Sequence, residues 1–242
     1  MGLSNVIVIA YFASWLQRNS EHVSLAPRLF RISLSIVKPV FGVGIGELLN
    51  AGFLIVTALA LNNLATAYGD SALAAIGVAV RIAQVPEFLV MGITLGVLPL
   101  LAYAYGKDDR ARLSSALRAA AIAVGGVTAL FAALGIAFPE PIIAAFSSDR
   151  SVLAIGVVAL VAQLVAMIAN GFTGLLTSSF QACGRALPAI IMSMAQGVLF
   201  IPVVILGNLW FGLPGIVWAL TVTEVTVLLV GLVLWAVARR KV

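Results

Sequence analysis

Charge is what this sequence has least of. Only 10% of its 242 residues are Asp, Glu, Lys or Arg, and aromatic residues add no more than 8%. A single cysteine, Cys183, excludes an internal disulfide and a cysteine-built metal cluster. The single histidine, His22, stands alone in a polar stretch, so no metal site is expected. The sequence contains no G-x-x-x-x-G-K-S/T phosphate loop, no H-E-x-x-H and no G-x-S-x-G. It therefore carries no signature of an ATPase or a membrane hydrolase, and neither a catalytic residue nor a cofactor is expected. If the chain moves a solute, an ion gradient must drive it.

What fills the space is apolar. The chain is 62% hydrophobic with mean hydropathy +1.16, against roughly 45–50% apolar residues in soluble domains. A water-soluble fold of this length has nowhere to bury so much apolar surface, so the expected class is an all-α integral membrane protein. The net charge of +5 invites a nucleic-acid reading. The basic residues fall between apolar segments rather than along one face, so no nucleic-acid partner is expected.

A membrane-spanning helix needs about 20 mostly apolar residues. Six segments qualify, roughly 41–65, 72–103, 114–138, 152–180, 187–207 and 214–238, separated by polar punctuation such as YGDS, YGKDDRAR, FSSDRS and CGRALP. Residues 1–17 hold an apolar stretch too short to span, which reads as the end of a truncated transmembrane helix. Residues 18–40 read as a basic amphipathic linker, in which 26–42 alternates basic and apolar residues as an interfacial helix does. Residues 41–242 form the six-helix lobe. If the six helices alternate, twelve of the fourteen Lys and Arg residues fall on one side. Arg150 falls on the other and Arg81 lies within a span. The positive-inside bias then places both termini in the cytoplasm of a multi-pass protein of the cell membrane.

Ionisable groups in the hydrocarbon zone cost at least about 2.5–3.5 kcal/mol each and normally face a bundle interior or a wet cavity. Glu87 lies near the middle of the second span and Glu224 near the middle of the sixth. On the fourth span Gln163, Asn170, Thr177 and Gln181 are spaced seven, seven and four residues apart, which a helix aligns on one face. That stripe either glues helices together or lines an aqueous path, and Gln163, Asn170 and Thr177 are taken as path candidates. Asn50 on the first span and Gln196 on the fifth are added to them. In VRIAQVPEFLVMG (80–92), Arg81, Gln84 and Glu87 fall within one third of the helix circumference. Pro86 and Pro99 each remove a backbone donor, and GITLG (92–96) has a small-xxx-small pattern that allows close backbone approach. Glu224 or Thr221 on the sixth span is the expected neighbour of Glu87. A proton shared by two close carboxylates can then be exchanged for a cationic substrate.

The runs LNNLATAYGDSALAAIGVAVRI (61–82), GITLGVLPLLAYAYGKDDRARL (92–113) and SSFQACGRALPAIIMSMAQGVLFIPVVIL (178–206) resemble the multidrug and toxic compound extrusion (MATE) family. Their order and spacing, with the FSSD connection at 146–149, cover most of residues 40–220. The resemblance is to the second half of that family's twelve-helix, two-lobe chain in the MATE/MOP superfamily. It implies a secondary antiporter exporting drugs or organic cations in exchange for H⁺ or Na⁺. The implied partners are membrane lipid, a small amphipathic or cationic substrate, and a first six-helix lobe or a second copy. The acids that the Na⁺-coupled branch carries are not matched: Glu47 lies too near the end of the first span, Leu54 sits near the expected depth, and the fourth span has no acid. No family cation site is therefore carried over. Two alternatives remain, a lipid-linked oligosaccharide flippase of the same superfamily and a non-transporting membrane assembly subunit.

Overall fold

The computed structural model describes residues 2–19 and 33–239. The chain divides into two units, residues 1–42 and 43–242. In the first, helix α1 (Gly2–Asn19) is apolar and exposes Val6, Ile7, Ile9, Phe12 and Trp15. Its apolar core, Asn5–Leu16, is a short helix. His22 and most of the basic linker lie outside the described residues. Helix α2 (Leu34–Thr66) begins in the first unit and continues through the second.

The second unit continues with α3 (Asp70–Gly106), α4 (Arg110–Ala137), the short α5 (Pro139–Ala144), α6 (Arg150–Ala182), α7 (Ala186–Phe211) and α8 (Leu213–Arg239). Among the described residues α3, α4, α6, α7 and α8 are each long and apolar enough to cross a membrane. The first expected span falls in α2, whose apolar helix runs over Ala51–Thr66. The turns follow from local chemistry. Asp109 caps α4 by accepting a hydrogen bond from the Arg112 N–H at 2.9 Å, and Asp149 caps α6 from the Ser151 N–H at 2.8 Å. Asp149 also accepts from the Ser151 hydroxyl at 2.6 Å, and these bonds hold its carboxyl below the ordinary aspartate value. Helix α5 occupies what the sequence suggested was a connection; Pro139, with no N–H to lose, starts it.

Helix α6 is the centre. It packs on α3, α4, α5, α7 and α8, and small residues let it do so. At Gly156 an added Cβ would lie 2.9 Å from Ile143, and at Gly171 it would lie 3.0 Å from Val124. The core centred on α6 joins that helix's Leu160, Leu164 and Met167 to Ile76, Ala132, Ile143 and Val217 of α3, α4, α5 and α8. Polar ties fix the helices where apolar packing against lipid-like neighbours cannot. The buried Thr221 hydroxyl donates to the Ala162 carbonyl at 2.9 Å, joining α8 to α6. At one end the Tyr68 hydroxyl donates to Asn208 Oδ1 at 2.6 Å, joining the α2–α3 turn to α7.

Helix α3 runs without interruption through Pro86 and Pro99. Its GITLG segment makes no close crossing among the described residues, because a Cβ at Gly92 or Gly96 would meet nothing within 4 Å. The close crossing lies instead between α7 and α8. A Cβ on Gly207 would lie 2.8 Å from the Gly215 carbonyl oxygen, and one on Gly215 would overlap the backbone of Gly207.

At the α6–α7 turn, Gly184 takes φ +66° and Cys183 is half-buried beside Arg185. Burial pushes the Cys183 thiol above its ordinary value, and the Arg185 charge opposes that rise. The thiolate is the reactive form. Maleimide alkylation of Cys183 should therefore be slower than that of a free thiol at about pH 8 and should climb through a higher pH range. Arg185→Gln removes the opposing charge and should move the alkylation profile to still higher pH. A profile that moves to lower pH in Arg185→Gln would contradict this account.

Candidate functional site

The second unit holds an open cavity of about 640 Å³ walled by α2, α3, α6, α7 and α8. Helical periodicity assembles it. On α3 the residues Ile76, Val80, Arg81, Gln84 and Glu87 recur at near-turn spacing and share a face. On α6 Gln163 and Asn170, two turns apart, face the same space. Gln196 enters from α7, Glu224 from α8, and Thr57 and Asn62 from α2.

Glu224 is 1% exposed. Its Oε1 accepts a hydrogen bond from Gln196 Nε2, while its Oε2 is buried with no hydrogen-bond partner among the described residues. The Asn170 amide is a further polar neighbour of this carboxyl, and Glu87 is close enough to act on it electrostatically. Glu87 itself is half-buried. Arg81 is exposed at the same cavity wall and forms no ion pair with Glu87; the ion pair found among the described residues is the exposed Arg110–Asp108 contact at 3.6 Å. The site is thus two carboxylates on different helices, set among amides and apolar walls. Such a constellation offers oxygen ligands and negative charge to a cation, and apolar surface to the rest of an amphipath. Among the described residues no group of three or more His, Cys, Asp or Glu is placed to hold a metal.

Of the residues singled out from sequence, Glu87, Glu224, Gln163, Asn170 and Gln196 meet at this cavity. Thr177 does not line it: its hydroxyl donates back to the Thr173 carbonyl at 2.9 Å, satisfied within its own helix. The side chains of Asn50 and Glu47 lie outside the described residues. Thr221, an expected neighbour of Glu87, instead donates to α6 and is absent from the cavity wall. The structure adds Thr57 and Asn62, which share the α2 cavity face with Phe53, Ala58 and Leu61. Their i, i+4 and i+5 spacing was the available signal.

The MatE family model matches residues 48–206, about two thirds of the chain. The chain belongs to the MATE family. Among its relatives, the multidrug export protein MepA of Staphylococcus saprophyticus is 31% identical over 222 residues, which is 92% of this chain and 49% of the relative. MepA of Staphylococcus aureus is 29% identical over the same length and shares. The fold matches the crystal structure of a Vibrio cholerae MATE transporter, VcmN, with TM-score 0.85 at 20% identity, over 98% of this chain and 54% of that one. A MOP-superfamily transporter from Pyrococcus furiosus gives the same values. The chain thus spans about half the length of the curated relatives it matches. MATE membership and the five long apolar helices among the described residues make it a multi-pass membrane protein.

Proposed function

We propose that this chain is one six-helix lobe of a MATE-type secondary antiporter of the cell membrane, exporting drugs or organic cations in exchange for H⁺ or Na⁺. The cavity bearing Glu87 and Glu224 is where the substrate cation and the coupling ion compete. One observation carries the reading: two carboxylates from α3 and α8 share one cavity inside the lobe, and the buried one keeps an oxygen unpartnered. A site in which one negative charge is offered to two kinds of cation is the minimal requirement of an antiporter. The names of the MepA relatives support the substrate class. A flippase for a pyrophosphate-linked lipid fits less well, because among the described residues Arg81 is the lone basic residue on a wall that carries two carboxylates. The working protein contains a second six-helix lobe, either another polypeptide segment or a second copy.

In that assembled transporter, Glu87→Gln should lower ion-driven efflux of a fluorescent organic cation by roughly fivefold to tenfold, about 1–1.4 kcal/mol of lost driving interaction. Proteoliposomes carrying a pH gradient, a Na⁺ gradient or neither separate the two coupling ions. Full-rate efflux by a folded Glu87→Gln variant, with unchanged gradient dependence, would remove Glu87 from the mechanism.

The proposed topology places the 107–118 segment and the C-terminus in the cytoplasm, because the α3–α4 turn and the first turn of α4 carry Lys107, Arg110 and Arg112 while Asp70, Glu140 and Asp149 lie toward the other end. In a Cys183→Ala background, a cysteine at position 110 should resist an impermeant maleimide in intact cells and react after permeabilisation. Labelling from outside would reverse the orientation.

A further inference from the structure

A second cavity, of about 340 Å³, opens at the basic end of the bundle. It is bounded by the C-terminal ends of α3, α6 and α8 and the first turns of α4. Its walls are of two kinds. Leu113, Leu117, Phe180 and Trp235 are apolar, with the Phe180 and Trp235 rings 5.8 Å apart. Arg110 and Arg185 are cationic.

We propose that this cavity binds an anionic phospholipid, its phosphate held by Arg110 and Arg185 and the start of its acyl chain lying against Trp235 and Leu117. A guanidinium suits a phosphate because its planar fork donates two hydrogen bonds at once, and basic pockets between spanning helices at the headgroup level take anionic lipid heads. Two acidic residues also border the cavity, Asp108 and Asp109; a bound phosphate would have to displace Asp108 from Arg110, while Asp109 is engaged elsewhere. The Asp109 carboxylate caps α4 through the Arg112 N–H. The Asp108 side chain stands 88% exposed in a loose 3.6 Å contact with Arg110 Nε. Part of the helix-end carbonyl charge is taken up by the following turns. Lys107, Asp108 and Asp109 N–H groups donate to the last carbonyls of α3, and Cys183, Gly184 and Arg185 N–H groups do the same for α6. Arg185 makes no ion pair among the described residues. Lys107 and Arg112 stand over the Tyr103 ring at 4.8 and 5.8 Å, adding positive potential beside the mouth.

The test uses the whole 242-residue chain in lipid nanodiscs, with Trp15, Trp210 and Trp218 replaced by Phe so that Trp235 alone reports. Brominated phosphatidylglycerol, doped at low mole fraction, should quench Trp235 with an apparent affinity about fivefold above that of brominated phosphatidylcholine. Arg185→Gln and Arg110→Gln should each remove that preference, and Arg185→Lys should restore part of it. Arg118→Gln removes the same charge from the same end but lies outside the cavity, and should keep the preference. Arg110 sits on an exposed turn, so its variant reads the site even if Arg185→Gln fails to fold. Equal quenching by the two lipids, or equal loss in Arg118→Gln, would overturn the proposal. Inorganic phosphate at constant ionic strength provides the last arm, read by alkylation of Cys183 on the same wall. Protection by phosphate without any lipid preference would assign the site to a soluble anion and sink the lipid reading.

Discussion

Replacing Glu224 by glutamine should reduce ion-coupled efflux by at least about tenfold, a cost of about 1.4 kcal/mol, without destabilising the protein. The two halves of that expectation come from one fact: a 1% exposed carboxylate whose Oε2 has no hydrogen-bond partner among the described residues. A carboxylate in the hydrocarbon zone costs several kcal/mol unless something cationic joins it. Glutamine keeps the shape, and its carbonyl oxygen can still accept from Gln196, which now approaches Oε1. The thermal midpoint in detergent should therefore stay level or rise, as it does when a functional charge is removed from a core. Efflux should fall because the negative charge proposed to be exchanged is gone. Measuring both on one preparation separates the roles. A variant that transports normally, or one that loses stability and activity together, would make Glu224 a packing residue.

The second large effect is structural. Gly215→Ala should destabilise the lobe by about 1–3 kcal/mol, the usual range for overpacking, because its methyl group would overlap the backbone of Gly207. A flexible side chain can move aside, but a helical backbone moves only with its whole helix, so α7 and α8 must separate. Phe200, Val204, Ile216 and Ala219 pack together beside that crossing and would loosen with it. Gly92→Ala is the matched control. Its Cβ meets nothing within 4 Å, and alanine is favoured over glycine inside a helix by about 0.5–1 kcal/mol. That variant should be neutral or slightly more stable. A thermal-shift series in which Gly92→Ala loses more than Gly215→Ala would place the critical crossing on α3.

This pair also shows what the sequence could and could not carry. The spans were legible because twenty apolar residues in a row admit few alternatives, and five of the expected six coincide with long apolar helices. Depth in a span singles out Glu87 and Glu224 in the sequence, and both line the same cavity. Partner choice was not legible. GITLG has the spacing for a close crossing, yet Gly207 and Gly215, on opposite sides of the α7–α8 turn, make the crossing found. Spacing along one helix says which residues share a face, but not which helix that face meets. Thr177 stays off this cavity wall for a related reason. It lies on the Gln163–Asn170 stripe, but a threonine hydroxyl can satisfy itself on its own helix backbone, which the longer amides do not do. Helix α5 is six residues long, too short for any periodicity to register.

The arrangement of Glu87 and Glu224 has a consequence for how the lobe is made. Helix α3 leaves the ribosome well before α6 and α8 exist, so its cavity face, with Arg81, Gln84 and Glu87, is at first without the helices that complete the cavity. Until α8 is threaded, that polar face must stay beside the insertion machinery or against water rather than lipid. The order of translation thus leaves the polar face of α3 waiting for the helices that complete its cavity.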